Sequence, residues 1–180
     1  MAGQLLLYSV GHSTRANDDF LDLLRHFGIE MLVDIRTIPG SRRHPQFGQQ
    51  NLQTALASEE IGYVHLPSLG GLRKPRPDSE NTGWRHSGFR AYADHMATGA
   101  FESGLARLLE LAAIQTTTIM CAEALPWRCH RRITADALTV RGIEVRHIMS
   151  IGKADVHRLT PFAVVEGVNL TYPGQLELPV

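Results

Sequence analysis

Apolar positions cluster in five short runs, at 5–10, 31–36, 63–66, 116–121 and 144–148, each of strand rather than helix length. Between them the spacing changes to three and four residues. Phe20, Leu21, Leu24 and Phe27 predict a helix capped near Asn17 and stopped by Gly28, since glycine tolerates the left-handed geometry of a helix end. Leu52, Ala55 and Leu56 predict a second helix starting at Asn51 and ending near Gly62. Two more are expected over 89–96 and 101–111, joined at Thr98 and Gly99, and a fifth over 133–140 before Gly142.

Strands alternating with helices at this spacing predict an α/β fold. Its mostly parallel five-stranded sheet would have helices on both faces, a Rossmann-like three-layer arrangement with right-handed crossovers. Residues 67–86 carry prolines and glycines without an apolar period, which predicts a long functional loop. The pattern stops after Ser150. The expected organisation is thus a core domain over 1–150 and a C-terminal extension over 151–180, an added hairpin or irregular tail. The hairpin would pair 162–165 with 169–172 around Glu166 and Gly167.

Composition narrows the function classes. With 43% hydrophobic and 20% charged residues, the chain has enough apolar matter for a core, which excludes a disordered acidic or basic tail protein. The first apolar run has no basic flank and is broken at Gly11 and His12, so neither a membrane span nor a secretion signal is expected. Two cysteines, Cys121 and Cys129, are expected as reduced thiols in the cytoplasm. No cofactor motif is present in the sequence, and its pattern leaves the oligomeric state open.

The formal net charge is zero, yet it is unevenly placed. Segments 11–17, 35–48, 67–88 and 121–132 follow the carboxyl ends of expected strands, where open parallel sheets bind ligands. They hold eleven basic residues against three acidic ones, a net +8 that leaves −8 on the rest. Ten of the eleven are arginine, whose planar fork suits phosphate or carboxylate. Arg15, Arg36, Arg42, Arg43, Arg128 and Arg131, with His130, are the candidate anion ligands. An anionic small molecule or nucleic acid is the implied partner, either of an enzyme or of a non-catalytic nucleic-acid or nucleotide binder with Phe47, Trp84 and Trp127 as its stacking residues. Isolated loop arginines on a solvated surface are the alternative.

The densest chemistry lies in Met120-Cys121-Ala122-Glu123 and Pro126-Trp127-Arg128-Cys129-His130-Arg131-Arg132. A cysteine beside arginines and a helix N-terminus has the surroundings of a thiolate nucleophile. Either thiol qualifies, and a pair of inert buried thiols is the competing reading. His12 and Glu123 are the candidate proton carriers. A zinc reading of Cys121, Glu123, Cys129 and His130 requires an unusual spacing, and adjacent Cys129 and His130 are expected to point apart, so no metal ligand is assigned. Asp34 is expected to orient Arg36, and His65 and His147 to be satisfied core histidines.

The motifs Ser9-Val10-Gly11-His12-Ser13-Thr14, Val33-Asp34-Ile35-Arg36 with Pro39 and Ser41-Arg42-Arg43, His65-Leu66-Pro67 with Leu69-Gly70-Gly71, and the two cysteine motifs occur in this order. Together, over about residues 6–174, they resemble the bacterial family named domain of unknown function 488, a resemblance that implies no particular reaction. A weaker likeness to rhodanese-type domains implies Cys121 as a nucleophile in a cradle of backbone amides, with sulfur transfer as its chemistry. The stretch from Cys121 to Arg132 departs from that pattern, being long, without glycine, and interrupted by Pro126 and Trp127.

Overall fold

A computed structural model describes residues 4–174 of the chain. Its strands are β1 (Leu6–Gly11), β2 (Met31–Asp34), β3 (Gly62–His65), β4 (Thr117–Cys121), β5 (Glu144–Ser150) and β6 (Lys153–Val156), which form one sheet in the order β3-β2-β4-β1-β5-β6. The first five pair in parallel, as the alternation predicts. The sixth, beyond the point where the pattern stops, adds to β5 as an antiparallel edge. A separate hairpin of β7 (Val164–Glu166) and β8 (Asn169–Thr171) turns at Gly167, whose φ is +64°.

Among the described residues five α-helices cover the sheet: α1 (Asn17–His26), α2 (Gln49–Ser58), α3 (Ser87–His95), α4 (Gly99–Ala112) and α5 (Arg131–Thr139). Alternation along the strands divides the core in two. Leu32, Val10 and Met120 turn toward Phe20 and Leu24 of α1 and Leu52 and Leu56 of α2. Val33, Ile119 and Cys121 turn toward Tyr92, Phe101, Leu105 and Ile133 of α3, α4 and α5. The period of two in a strand forces this division, and two covered faces explain why the strands read as unbroken apolar runs.

Helix ends follow the local signals with small shifts. Thr98 caps α4 by accepting from the Phe101 amide at 3.3 Å, and Gly28 and Gly142 take positive φ after α1 and α5. Asn17 is the first residue of α1 rather than its cap, Ala16 taking the cap position. The second helix starts at Gln49, two residues before Asn51, following the turn Pro45–Phe47.

The strand order fixes where a crevice opens. β1 leads to β2 through α1 on one face of the sheet, and its neighbour β4 leads to β5 through α5 on the other. The connections after these adjacent strands therefore leave for opposite faces, which is the arrangement that makes a ligand crevice at the carboxyl ends. No helix among the described residues is long and apolar enough to cross a membrane.

Candidate functional site

Parallel pairing of β1 with β4 places Gly11 opposite Cys121 and continues past the strands. The His12 amide donates to the Cys121 carbonyl at 3.0 Å, and the Ser13 amide to the Ala122 carbonyl at 2.9 Å. The two loops run so close that a Cβ at Gly11 would overlap the Glu123 carbonyl oxygen. Glycine is required there by space, not by φ.

Past Ala122 the chain turns through Pro126–Arg128 and comes back, so that Cys129 stands beside Cys121 at the start of α5. Cys129 Sγ accepts from the Arg131 amide at 3.4 Å and lies 3.6 Å from His130 Nδ1. The two neighbours expected to point apart thus converge, because the chain turns sharply as it enters α5. The donor atoms of Cys121, Cys129 and His130 all lie within 4.8 Å of one another. Both cysteines are free thiols and buried.

The imidazole of His130 is held on several sides. Its Nε2 is 3.2 Å from the Ile35 carbonyl oxygen, so Nε2 carries the hydrogen and Nδ1 presents its lone pair toward sulfur. The Tyr92 ring meets it edge-on at 4.9 Å. A Cβ at Gly71 would come within 2.5 Å of Nδ1, so the glycine predicted only as part of a loop motif makes room for this ring.

Arg131 supplies the charge. It is 1% exposed; Nη1 donates to Ser9 Oγ at 2.9 Å and Nη2 to the carbonyls of Glu123 and Ala124 at 2.6 and 3.3 Å. Among the described residues no carboxylate pairs with it. A buried guanidinium without a counter-charge is expensive, and the nearby thiols are the groups able to supply one. Burial pushes the Cys129 thiol up, but the Cys121 thiol donating to it and the Arg131 cation and amide outweigh that and bring it down to about 7. Cys121, which gives its hydrogen to Cys129 and is itself buried, is held well above the usual range. Of the two thiols, Cys129 is the more acidic.

The sequence profile described as "Domain of unknown function DUF488" matches residues 16–138. The chain belongs to that family. No curated protein and no solved structure matches it, and the rhodanese likeness is not shown by these comparisons.

In this DUF488 chain the cysteine pair and His130 form the floor of a cleft of about 800 Å³, which His12, Arg36, Arg42, Arg43, Glu123 and Arg128 also line. The candidate arginines divide sharply. Arg36 spends its fork on Asp34 and gives Nη1 to the Phe47 carbonyl at 2.9 Å. Arg15 donates to the carbonyls of Gly11 and Met149, and Arg131 to the loop carbonyls already described. These three tie loops to strands. Arg42, Arg43 and Arg128 are exposed on the rim.

His12 stacks on Phe47 at 4.2 Å and donates from Nδ1 to the Ser13 carbonyl at 2.9 Å. Burial first, with Arg36 adding to it, lowers its pKa to about 4. It is therefore a neutral imidazole at the cleft wall, with Nε2 facing Arg36 Nη1 at 3.4 Å. Glu123 is exposed at the edge, and its side chain stands outside the cysteine–histidine cluster. Phe47 and Trp84 are buried, and only Trp127 of the three aromatic candidates is exposed.

Sequence reasoning missed the apolar part of the cleft, where Ile38 and Leu72 are exposed at 68% and 70% and Phe89 and Leu125 line the wall. It also missed a buried relay: Ser9 Oγ to His147 Nδ1 at 2.9 Å, His147 Nε2 to His157 Nδ1 at 2.9 Å, and His157 Nε2 to Asp136 Oδ1 at 2.8 Å. His147 was expected as a satisfied core histidine and is one, with both ring nitrogens engaged, while Asp136, an acid among apolar positions of α5, was the signal left unread.

Proposed function

We propose that this DUF488 chain is an enzyme acting on a small anionic, phosphate-bearing substrate, bound in the cleft at the carboxyl ends of β1 and β4. Arg42, Arg43 and Arg128 draw in and hold the anion, and the cluster of Cys121, Cys129 and His130 does the chemistry beneath it. Cys129 is the reacting thiolate, Arg131 balances its charge, and the neutral His12 ring is placed to exchange a proton. The observation that carries this reading is a buried thiol pair, held against an unpaired buried arginine, on the floor of a cleft with an arginine rim. Anions are favoured there by the rim charge and by the amino end of α5. The apolar wall fits the organic body of a phosphate ester. Two free thiols suit a reducing cytoplasmic setting.

Calorimetric titration with inorganic phosphate and simple phosphate monoesters tests the binding half. Binding should be lost in a triple Arg42→Ala, Arg43→Ala, Arg128→Ala variant of unchanged melting temperature. Brief iodoacetamide treatment of reduced, chelator-treated protein tests the chemical half. Cys129 should be labelled before Cys121, and phosphate should protect it. Native protein in which neither thiol is labelled would remove the enzyme reading.

A further inference from the structure

We propose that Cys121, Cys129 and His130 form a three-ligand site for a zinc-type divalent metal, with its fourth coordination position open to the cleft. The inference rests on the functional reading above for the cleft and for the identity of the fourth ligand, and with metal bound it makes the Cys129 thiolate a ligand, its role as the reacting group belonging to the metal-free protein.

Distances are the first argument. Tetrahedral zinc holds sulfur at about 2.3 Å and nitrogen at about 2.0–2.1 Å, which sets a sulfur and a nitrogen ligand roughly 3.6 Å apart and two sulfurs roughly 3.8 Å apart. Cys129 Sγ and His130 Nδ1 are 3.6 Å apart, and all three donor atoms fall within 4.8 Å of one another. The Cys129–His130 separation already matches such a polyhedron, and Cys121 stands close enough to both for small side-chain rotations to complete it.

The second argument is the support around the histidine. A metal-binding imidazole nearly always gives its other ring N–H to a carbonyl or carboxylate, which fixes the tautomer and aims the lone pair. His130 Nε2 does this with Ile35 O, while the Tyr92 ring fixes the plane. A histidine serving only as packing has no need to keep Nδ1 turned toward a thiol pair.

Ligand type and number decide the rest. Two thiolates and an imidazole suit zinc and exclude the oxygen-seeking magnesium and calcium. Three protein donors leave one position open, the pattern of a catalytic rather than a structural site. Glu123 does not close it, because its exposed side chain lies outside the cluster. Two thiolates neutralise the metal's two charges, which leaves the positive charge of Arg131 over. An anionic fourth ligand, hydroxide or a substrate phosphate oxygen, completes the balance.

Cobalt(II) is the probe. The full chain, purified under reducing agent, stripped with chelator and dialysed, should bind one equivalent. It should show the intense visible bands of tetrahedral cobalt and a thiolate charge-transfer band in the near ultraviolet, both abolished by zinc. This reading of the unsubstituted protein needs no variant to fold. Cys121→Ser, Cys129→Ser and His130→Ala should each weaken cobalt binding at least ~10-fold, with circular dichroism reporting that the fold is kept. Arg43→Ala should keep the cobalt spectrum while losing phosphate affinity. A pale octahedral spectrum without the charge-transfer band, or a band unchanged in Cys129→Ser, overturns the metal site. If phosphate still binds in that case, the cleft reading stands alone. If cobalt binds tetrahedrally but phosphate binds neither form of the protein, the metal site stands and the substrate reading falls.

Discussion

Arg36 grips the carboxylate of Asp34 with two prongs, Nε to Oδ1 at 2.9 Å and Nη2 to Oδ2 at 2.6 Å, and both residues are buried. Tyr63 Oη donates to the same carboxylate at 2.8 Å. The pair closes the carboxyl end of β2 at the cleft wall, with the guanidinium already engaged by Asp34 and the Phe47 carbonyl. Removing one member leaves the other as a buried, unpaired charge, so Arg36→Ala should destabilise by about 3–5 kcal/mol. Urea denaturation measures this. A variant as stable as the parent that merely loses phosphate affinity would return Arg36 to the ligand set.

The rim arginines should behave in the opposite way. Arg43→Ala and Arg128→Ala remove exposed side chains, for which stability changes stay within about 0.5 kcal/mol. Phosphate affinity should fall in each, and its salt dependence should become shallower as contacts are lost. Calorimetry at two ionic strengths, beside thermal melts, separates the two effects. Leu24→Ala in the core is the converse control, costing about 2–5 kcal/mol with phosphate affinity retained.

His147 gives the chain an acid-sensitive core. Burial, then the neighbouring His157 ring and Arg131, hold its pKa down to about 3, against the weaker pull of Asp136. An unfolded histidine titrates near 6.5. Between these values the unfolded chain binds a proton that the folded chain refuses, so stability is lost as the pH falls through 6.5 toward 3. His147 should contribute about 1–2 kcal/mol of the drop from pH 7 to 5, beside a similar share from His12, and His147→Gln should reduce the drop by its own share. Urea midpoints at both pH values check this, and equal slopes in parent and variant would refute it.

Gly11→Ala tests the close approach of the two loops. The added methyl group would overlap the Glu123 carbonyl and press on Arg131 Nη2, with an overpacking cost of about 1–3 kcal/mol. Because the loop from Cys121 must move, phosphate affinity should fall along with stability. An unchanged melting temperature would mean that the loops are not in contact.

The strand runs, the helix spacing and the stops at Gly28 and Gly142 are local features, and by themselves they specify the α/β class, the alternation and the parallel core. The convergence of chemistry on the carboxyl ends was legible too, since charge density along the chain needs no long-range contact to be counted. What a charge does was legible only where its partner is close in sequence. Asp34, two residues from Arg36 on the same strand end, was expected to orient it and does, whereas Arg43 has only solvent and the cleft around it, which no spacing shows. Likewise Cys129 becomes the more acidic thiol only because the turn at Pro126–Arg128 carries it back to Cys121 and to the buried Arg131. Strand order, set by pairing between segments as distant as Gly11 and Cys121, decided where the crevice opens. Residue type and spacing determine which groups are available for chemistry. Their protonation, partners and exposure depend on burial and on contacts between distant segments, which only the packed chain supplies.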